Sequence, residues 1–322
     1  MYYKSYYNYV VYVLIISILY SYLQNTGFYG FSNDYYNSYT YKFLSEHYDI
    51  QHRLGAIIAS FYIGETQVGV GITSFFLALS TGLLLISFFK IKSFQSVSIF
   101  LILYINILHI HPIIMSTSGA MRQGLLMSCI FISLFFIDNK KKFLSFFFII
   151  LGILMHKAGI VFFTIYLLTI ILKKLLKIFS KRSISLILNT LIIFLVPFLI
   201  FLFNFFNYRP EFAIIGSDLR YIWLLINIFL IAYVIIFYQK IKLDYLKFIA
   251  LFLFVHSIFA LSMLFVGFSW EYERFNMIVS IILILFVGSV FTKISSYLFY
   301  SLSFLMYLFL TIGLGMYSVG LY

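Results

Sequence analysis

Residues 248–266 read FIALFLFVHSIFALSMLFV, an uncharged run bounded by Lys247 on one side and Gly267 on the other. A helix that crosses a bilayer takes about 20 mostly apolar residues. This run meets that length and shows none of the period-two alternation of a barrel strand, so it reads as a membrane-spanning helix. Its one titratable side chain, His256, reads as a hydrogen-bonded core histidine.

Comparable runs recur along the chain at residues 6–23, 67–89, 96–112, 119–137, 143–156, 158–172, 184–204, 220–238, 275–291 and 297–319. The expectation is an all-α polytopic membrane protein of about 11 transmembrane helices, forming a single integral-membrane domain over residues 1–322. The runs 143–156 and 158–172 are short and read as one hairpin that stops short of full depth. Composition agrees: 63% of the 322 residues are hydrophobic and 10% charged, where soluble domains carry about 25% charged residues. Cys129 is the single cysteine, which excludes disulfides and cysteine-based metal sites. Lys4 precedes the first run and no small-residue cleavage pattern follows it, so that run reads as a retained helix.

A net charge of +12 raises the question of nucleic acid. The basic residues instead fall in short clusters between apolar runs, as in a protein whose loops set its topology, and no nucleic-acid module is present. Alternate connections hold Lys90 and Lys92, Lys140 to Lys142, Lys173, Lys174, Lys177, Lys181, Arg182, Lys240, Lys242, Lys247 and Lys293. With Lys4 these are 15 of the 22 basic residues, against only Asp138 and Asp244. By the positive-inside rule this side is cytoplasmic, and so is the N-terminus. The opposite side holds five arginines, two lysines and eight of the ten acids. Lysine suffices as a topological charge, whereas the arginine fork suits phosphate and carboxylate recognition. The outer face is therefore where chemistry is expected.

The longest connection, residues 24–66, lies on that face and is rich in tyrosine. Within it Leu54, Ile57, Ile58, Phe61 and Tyr62 follow helical spacing, so residues 54–62 read as an amphipathic helix lying on the membrane or dipping into it. Asp34 sits just beyond the first span beside Tyr35 and Tyr36, with Tyr39 close behind. It reads either as a general base or as the polar residue of a turn or cap. Arg122 opens the fourth span among Ser116, Thr117, Ser118, Gly119 and Ala120. A cation at the lip of an apolar helix marks a functional site, unless it merely snorkels to the headgroups. His156 and Lys157 form the turn between the two short spans, where a histidine serves as phosphate donor, proton shuttle or simple helix-end bond. Arg220 lies in the charged loop 207–221, and Trp270, Glu271, Glu273 and Arg274 crowd the start of a later span. Both loops also admit the plain reading of solvated charge. His109 and His111 are two residues apart on different helix faces, which argues against a shared metal. No clustered acids on the outer face mark a divalent ion, so a mechanism without metal or cofactor is expected.

Met121-Arg122-Gln123-Gly124-Leu125, the Lys-rich turn from Asp138 to Lys142, and Met155-His156-Lys157-Ala158-Gly159 together resemble the EpsG-like family. These are bacterial polysaccharide polymerases grouped with the Wzy O-antigen polymerases. The family's His-Lys-Ser-Ala turn is kept at His156 and Lys157 and altered at Ala158 and Gly159. Gly30, Asp34 and Tyr39 approximate an early Gly-Asp-Tyr element with changed spacing, and Glu273-Arg274 fits a late acidic-Arg element. The resemblance is strongest over residues 121–166 and looser elsewhere.

What it implies is a GT-C-like glycosyltransferase of the bacterial cytoplasmic membrane, acting at the outer leaflet on undecaprenyl-diphosphate-linked glycans, with a chain-length regulator as a further partner. Arg122 and Arg274, with Arg220 and Lys157 in support, would bind the diphosphate. His156 would be a hydrogen-bond or proton partner, and Asp34 or Glu273 the base. Tyr35, Tyr36, Tyr39 and Trp270 would stack on sugars. An O-antigen ligase remains an alternative, although ligases carry a large late outer domain and the outer loops after residue 66 are short here. A membrane acyltransferase would place its histidine early. A flippase would bury ionisable groups along a path, and only His256 lies deep.

Overall fold

A computed structural model describes residues 2–26, 53–63, 66–91, 97–118, 120–179, 181–205 and 219–291. The last expected span, 297–319, and the Asp34 loop lie outside the described residues. Helices form almost everything else: α1 (Tyr2–Asn25), α2 (Arg53–Ala59), α3 (Gly69–Ile91), α4 (Val97–Leu108), α5 (His111–Ser118), α6 (Met121–Asp138) and α7 (Lys142–Met155). They continue with α8 (Ala158–Ile178), α9 (Lys181–Phe205), α10 (Leu219–Phe237), α11 (Asp244–Val266) and α12 (Ser269–Phe291). The exceptions are a 3-10 turn at Tyr238–Lys240 and a two-residue antiparallel pairing of Tyr62–Ile63 with Thr66–Gln67. Among the described residues, eight helices are long and apolar enough to cross a membrane. The chain is an all-helical, polytopic membrane protein.

Three expectations are corrected. Residues 96–112 do not form one helix: α4 ends at Leu108 and α5 begins at His111. Pro112 lacks the N–H that would continue α4, but a proline fits the first turn of a new helix. At 12 residues α4 is about 18 Å long, short of a hydrocarbon core of about 30 Å. The helix expected over 158–172 runs on to Ile178, because Leu172 and Leu176 stay buried while Lys173 is held by Asp244 and Lys174 is exposed. The amphipathic segment is helical only to Ala59, and its large side chains Leu54, Ile57 and Phe61 are exposed. Its inward positions are Gly55 and Ala59, four residues apart. Between helices in lipid the driving force is close backbone approach, so small residues turn inward and large ones outward.

The chain divides into two compact units, residues 1–163 with 287–322, and residues 164–286. In the first, α1 packs on α3, α3 on α6, and α6 on α7, with α2 resting on α3, α6 and α7. A polar knot ties three of its helices: the Tyr104 hydroxyl lies 2.9 Å from Ser17 Oγ and donates to the Ala78 carbonyl at 2.8 Å. In the second, α9 and α10 pack on α11, whose residues from Tyr245 to Met263 are buried except Lys247. Lys173 on α8 bonds the Asp244 carboxylate at the start of α11, 2.7 Å away.

Candidate functional site

The first unit's candidate site is built on the α6–α7 hairpin. A three-residue turn, Asn139 to Lys141, joins the two helices. The Lys140 N–H reaches the Ile137 carbonyl and the Lys141 N–H the Phe136 carbonyl, the Schellman pattern, with Lys140 in the left-handed conformation at φ 60°. The register is pinned farther along by Ser133 and Ser145, whose hydroxyls lie 2.9 Å apart. Gly152 then packs beside Leu126 and Cys129. Antiparallel helices trade one residue for one, so the same register brings His156, at the end of α7, level with the first turn of α6. That turn carries Arg122, half-buried between the buried Met121 and Gln123. The lysines of the turn lie at the opposite end.

Bare backbone makes this end close-packed. A side chain at Gly124 would meet the Ser116 carbonyl of α5, one at Gly55 the Met155 carbonyl of α7, and one at Gly69 the Ala59 carbonyl of α2. Gly159 lies equally tight against the Gly152 carbonyl. The first turn of α8 thus folds back onto α7 with no room for a Cβ at Gly159.

His156 ends α7 in an extended conformation, φ −154° and ψ 144°. Its backbone N–H donates to the Gly152 carbonyl at 3.2 Å, and its carbonyl accepts from Gly159 at 2.7 Å. Its Nδ1 accepts from the Ala158 N–H at 3.2 Å. An Nδ1 acting as acceptor carries no proton, which assigns the neutral ring's proton to Nε2. The imidazole is thereby set up as a donor through Nε2. Lys157 beside it is exposed.

In the second unit the corresponding residues open α10 and α12. The Arg220 guanidinium lies 4.8 Å from the Tyr221 ring centroid and donates to the Tyr221 hydroxyl at 3.1 Å. Its Nε is buried with no hydrogen-bond partner among the described residues. Gly267, at φ 94°, closes α11 with a second Schellman pair, Gly267 N–H to Leu264 and Phe268 N–H to Met263, and so turns the chain sharply into α12. Glu273 is 7% exposed and Arg274 half-buried. Glu271 has one carboxylate oxygen buried with no hydrogen-bond partner among the described residues. Trp270 falls in the first turn of α12, its side chain outside the described set. Asp34, Tyr35, Tyr36 and Tyr39 also lie outside the described residues.

The sequence reading missed a buried network in this unit. Asn227 on α10 donates to the Tyr272 hydroxyl and to Asn276 Oδ1 on α12, each at 3.0 Å, while Asn276 donates to the Tyr272 carbonyl at 2.8 Å. Two asparagines inside apolar runs were the available signal. His256 is fully buried, its Nε2 donating to the Phe275 carbonyl at 3.2 Å and its ring stacked on Phe275 at 4.5 Å. Among the described residues no three His, Cys, Asp or Glu side chains group as a metal site.

No family model, curated protein or solved structure matches the chain.

Proposed function

We propose that the chain is an integral-membrane glycosyltransferase that polymerises undecaprenyl-diphosphate-linked oligosaccharides at the outer leaflet of the bacterial cytoplasmic membrane. The observation that carries the reading is the hairpin register, which sets Arg122 level with a histidine held in the donor tautomer at the Lys-poor end of the first unit.

In the reaction, a hydroxyl oxygen of one lipid-linked repeat attacks the anomeric carbon of the other glycan. The new glycosidic C–O bond forms as the bond from that carbon to the diphosphate oxygen breaks, and the lipid diphosphate departs with the electron pair. The hydroxyl proton passes to a carboxylate, Asp34 or Glu273. Charge grows on the leaving phosphates, so donors that tighten there lower the barrier. Arg122 supplies the bidentate fork, His156 donates through Nε2, and Lys157 adds a screening charge. Arg274 and Arg220 keep the phosphate roles that the family resemblance implies.

Arg122→Ala in the native host is expected to leave single repeat units in place of long chains, with Arg122→Lys intermediate because lysine keeps the charge and loses the fork. Normal chain length from a stably expressed Arg122→Ala protein would overturn the assignment.

A further inference from the structure

A cleft of about 780 Å³ opens between α8 and α9 in the second unit, with Val255 of α11 also in its lining. Leu172 and Leu175 line it from α8; Leu186, Phe194 and Phe198 line it from α9. Apart from Thr190, every lining side chain is apolar. The mouth is open: Leu186 is 69% exposed and Phe194 is 72% exposed.

Two features decide the occupant. From Leu186 to Phe198 the cleft follows α9 for about 18 Å at helical rise, a little more than one leaflet of a hydrocarbon core about 30 Å thick. A stretch of that length fits the acyl chains of one leaflet. The second feature is charge. At the lysine-rich end α8 stops at Ile178 and α9 starts at Lys181, followed by Arg182, and Lys174 and Lys177 are exposed there. Lys173 is already held by Asp244. Basic clusters beside a lipid-facing cleft hold anionic headgroups.

We propose that this cleft is a binding site for an anionic diacyl phospholipid of the lysine-side leaflet, its acyl chains between α8 and α9 and its phosphate at the basic cluster. The site is at the opposite end from Arg220 and Glu273 and does not depend on the glycan reading.

The test uses the full chain carrying Phe194→Trp in phosphatidylcholine nanodiscs, with brominated phosphatidylglycerol or brominated phosphatidylcholine as quencher and the unsubstituted protein as background. Brominated phosphatidylglycerol is expected to quench the new tryptophan at a mole fraction about fivefold lower than brominated phosphatidylcholine, roughly the worth of one lysine at the surface. The preference should vanish in Lys174→Gln/Lys177→Gln/Lys181→Gln and weaken at high salt, as screened charge requires. Phe198→Trp supplies a second reporter should the first disturb folding. Equal quenching by the two lipids, or a preference that survives both charge removal and salt, would overturn the proposal.

Discussion

Replacing Gly124 by alanine separates the geometry of Arg122 from the stability of the helix that carries it. The added Cβ would fall on the Ser116 carbonyl oxygen, with the carbonyl carbon 3.0 Å and the Ser116 Cβ 3.3 Å away. Ordinary contact lies near 3.5 Å, so α5 and the first turn of α6 must part by more than about 1 Å. Overpacking of this kind costs about 1–3 kcal/mol, and alanine's higher helix propensity offsets about 1 kcal/mol of it. The net loss of stability is then at most about 2 kcal/mol. Arg122 lies two residues away on the displaced turn, and a 1 Å misplacement of a positioning group costs up to about a hundredfold in rate. Gly124→Ala is therefore expected to melt within a few degrees of the parent while its polymer shortens towards single units. Gly71→Ala is the control, because its nearest neighbour is the movable Asn25 side chain at 3.2 Å. Thermal unfolding of purified protein and gel profiles of the surface glycan read the two quantities. Full-length polymer from Gly124→Ala with an unchanged melting temperature would refute the link between this contact and Arg122.

Other substitutions test the frame around the site. Lys140→Gly removes a left-handed non-glycine residue, a conformation that costs about 1–2 kcal/mol, so the melting temperature should rise by a few degrees; a fall would contradict the strain assignment. Ser133→Ala or Ser145→Ala alone strands a buried hydroxyl at a cost of about 1 kcal/mol, whereas the double substitution should cost less than the two singles summed. Additive losses in that cycle would show that the pair does not set the hairpin register. Asn227→Leu removes the two hydrogen bonds that Asn227 donates, to the Tyr272 hydroxyl and to Asn276 Oδ1, and a destabilisation of about 1 kcal/mol is expected from intramembrane hydrogen bonds; an unchanged melting curve would show that these bonds do not stabilise the second unit.

The long uncharged runs were legible because hydropathy alone specifies a spanning helix, and 248–266 sits within α11 at nearly its sequence limits. Helix ends were less legible. Hydropathy falls at Lys173 and Lys174, yet α8 continues because lysine is a good helix former: Lys173 is held by Asp244 and Lys174 points out of the fold. In residues 54–62 the helix and its apolar stripe were legible, but the helix ends at Ala59, and the two small positions that carry its packing, Gly55 and Ala59, leave almost no trace in a hydropathy profile. The Asn227 network escaped because its partners are 45 and 49 residues away in sequence. The donor tautomer of His156 depends on a backbone bond from Ala158 that no motif encodes.

The most direct test of the proposed function is reconstitution. Purified protein in nanodiscs, supplied only with the native host's undecaprenyl-diphosphate-linked repeat unit and a chelator, should produce a ladder of longer glycans and release one undecaprenyl diphosphate per bond formed, with Arg122→Ala leaving the substrate unextended. No ladder from the unaltered protein, a ladder that requires added divalent metal, or an equal ladder from Arg122→Ala would contradict it.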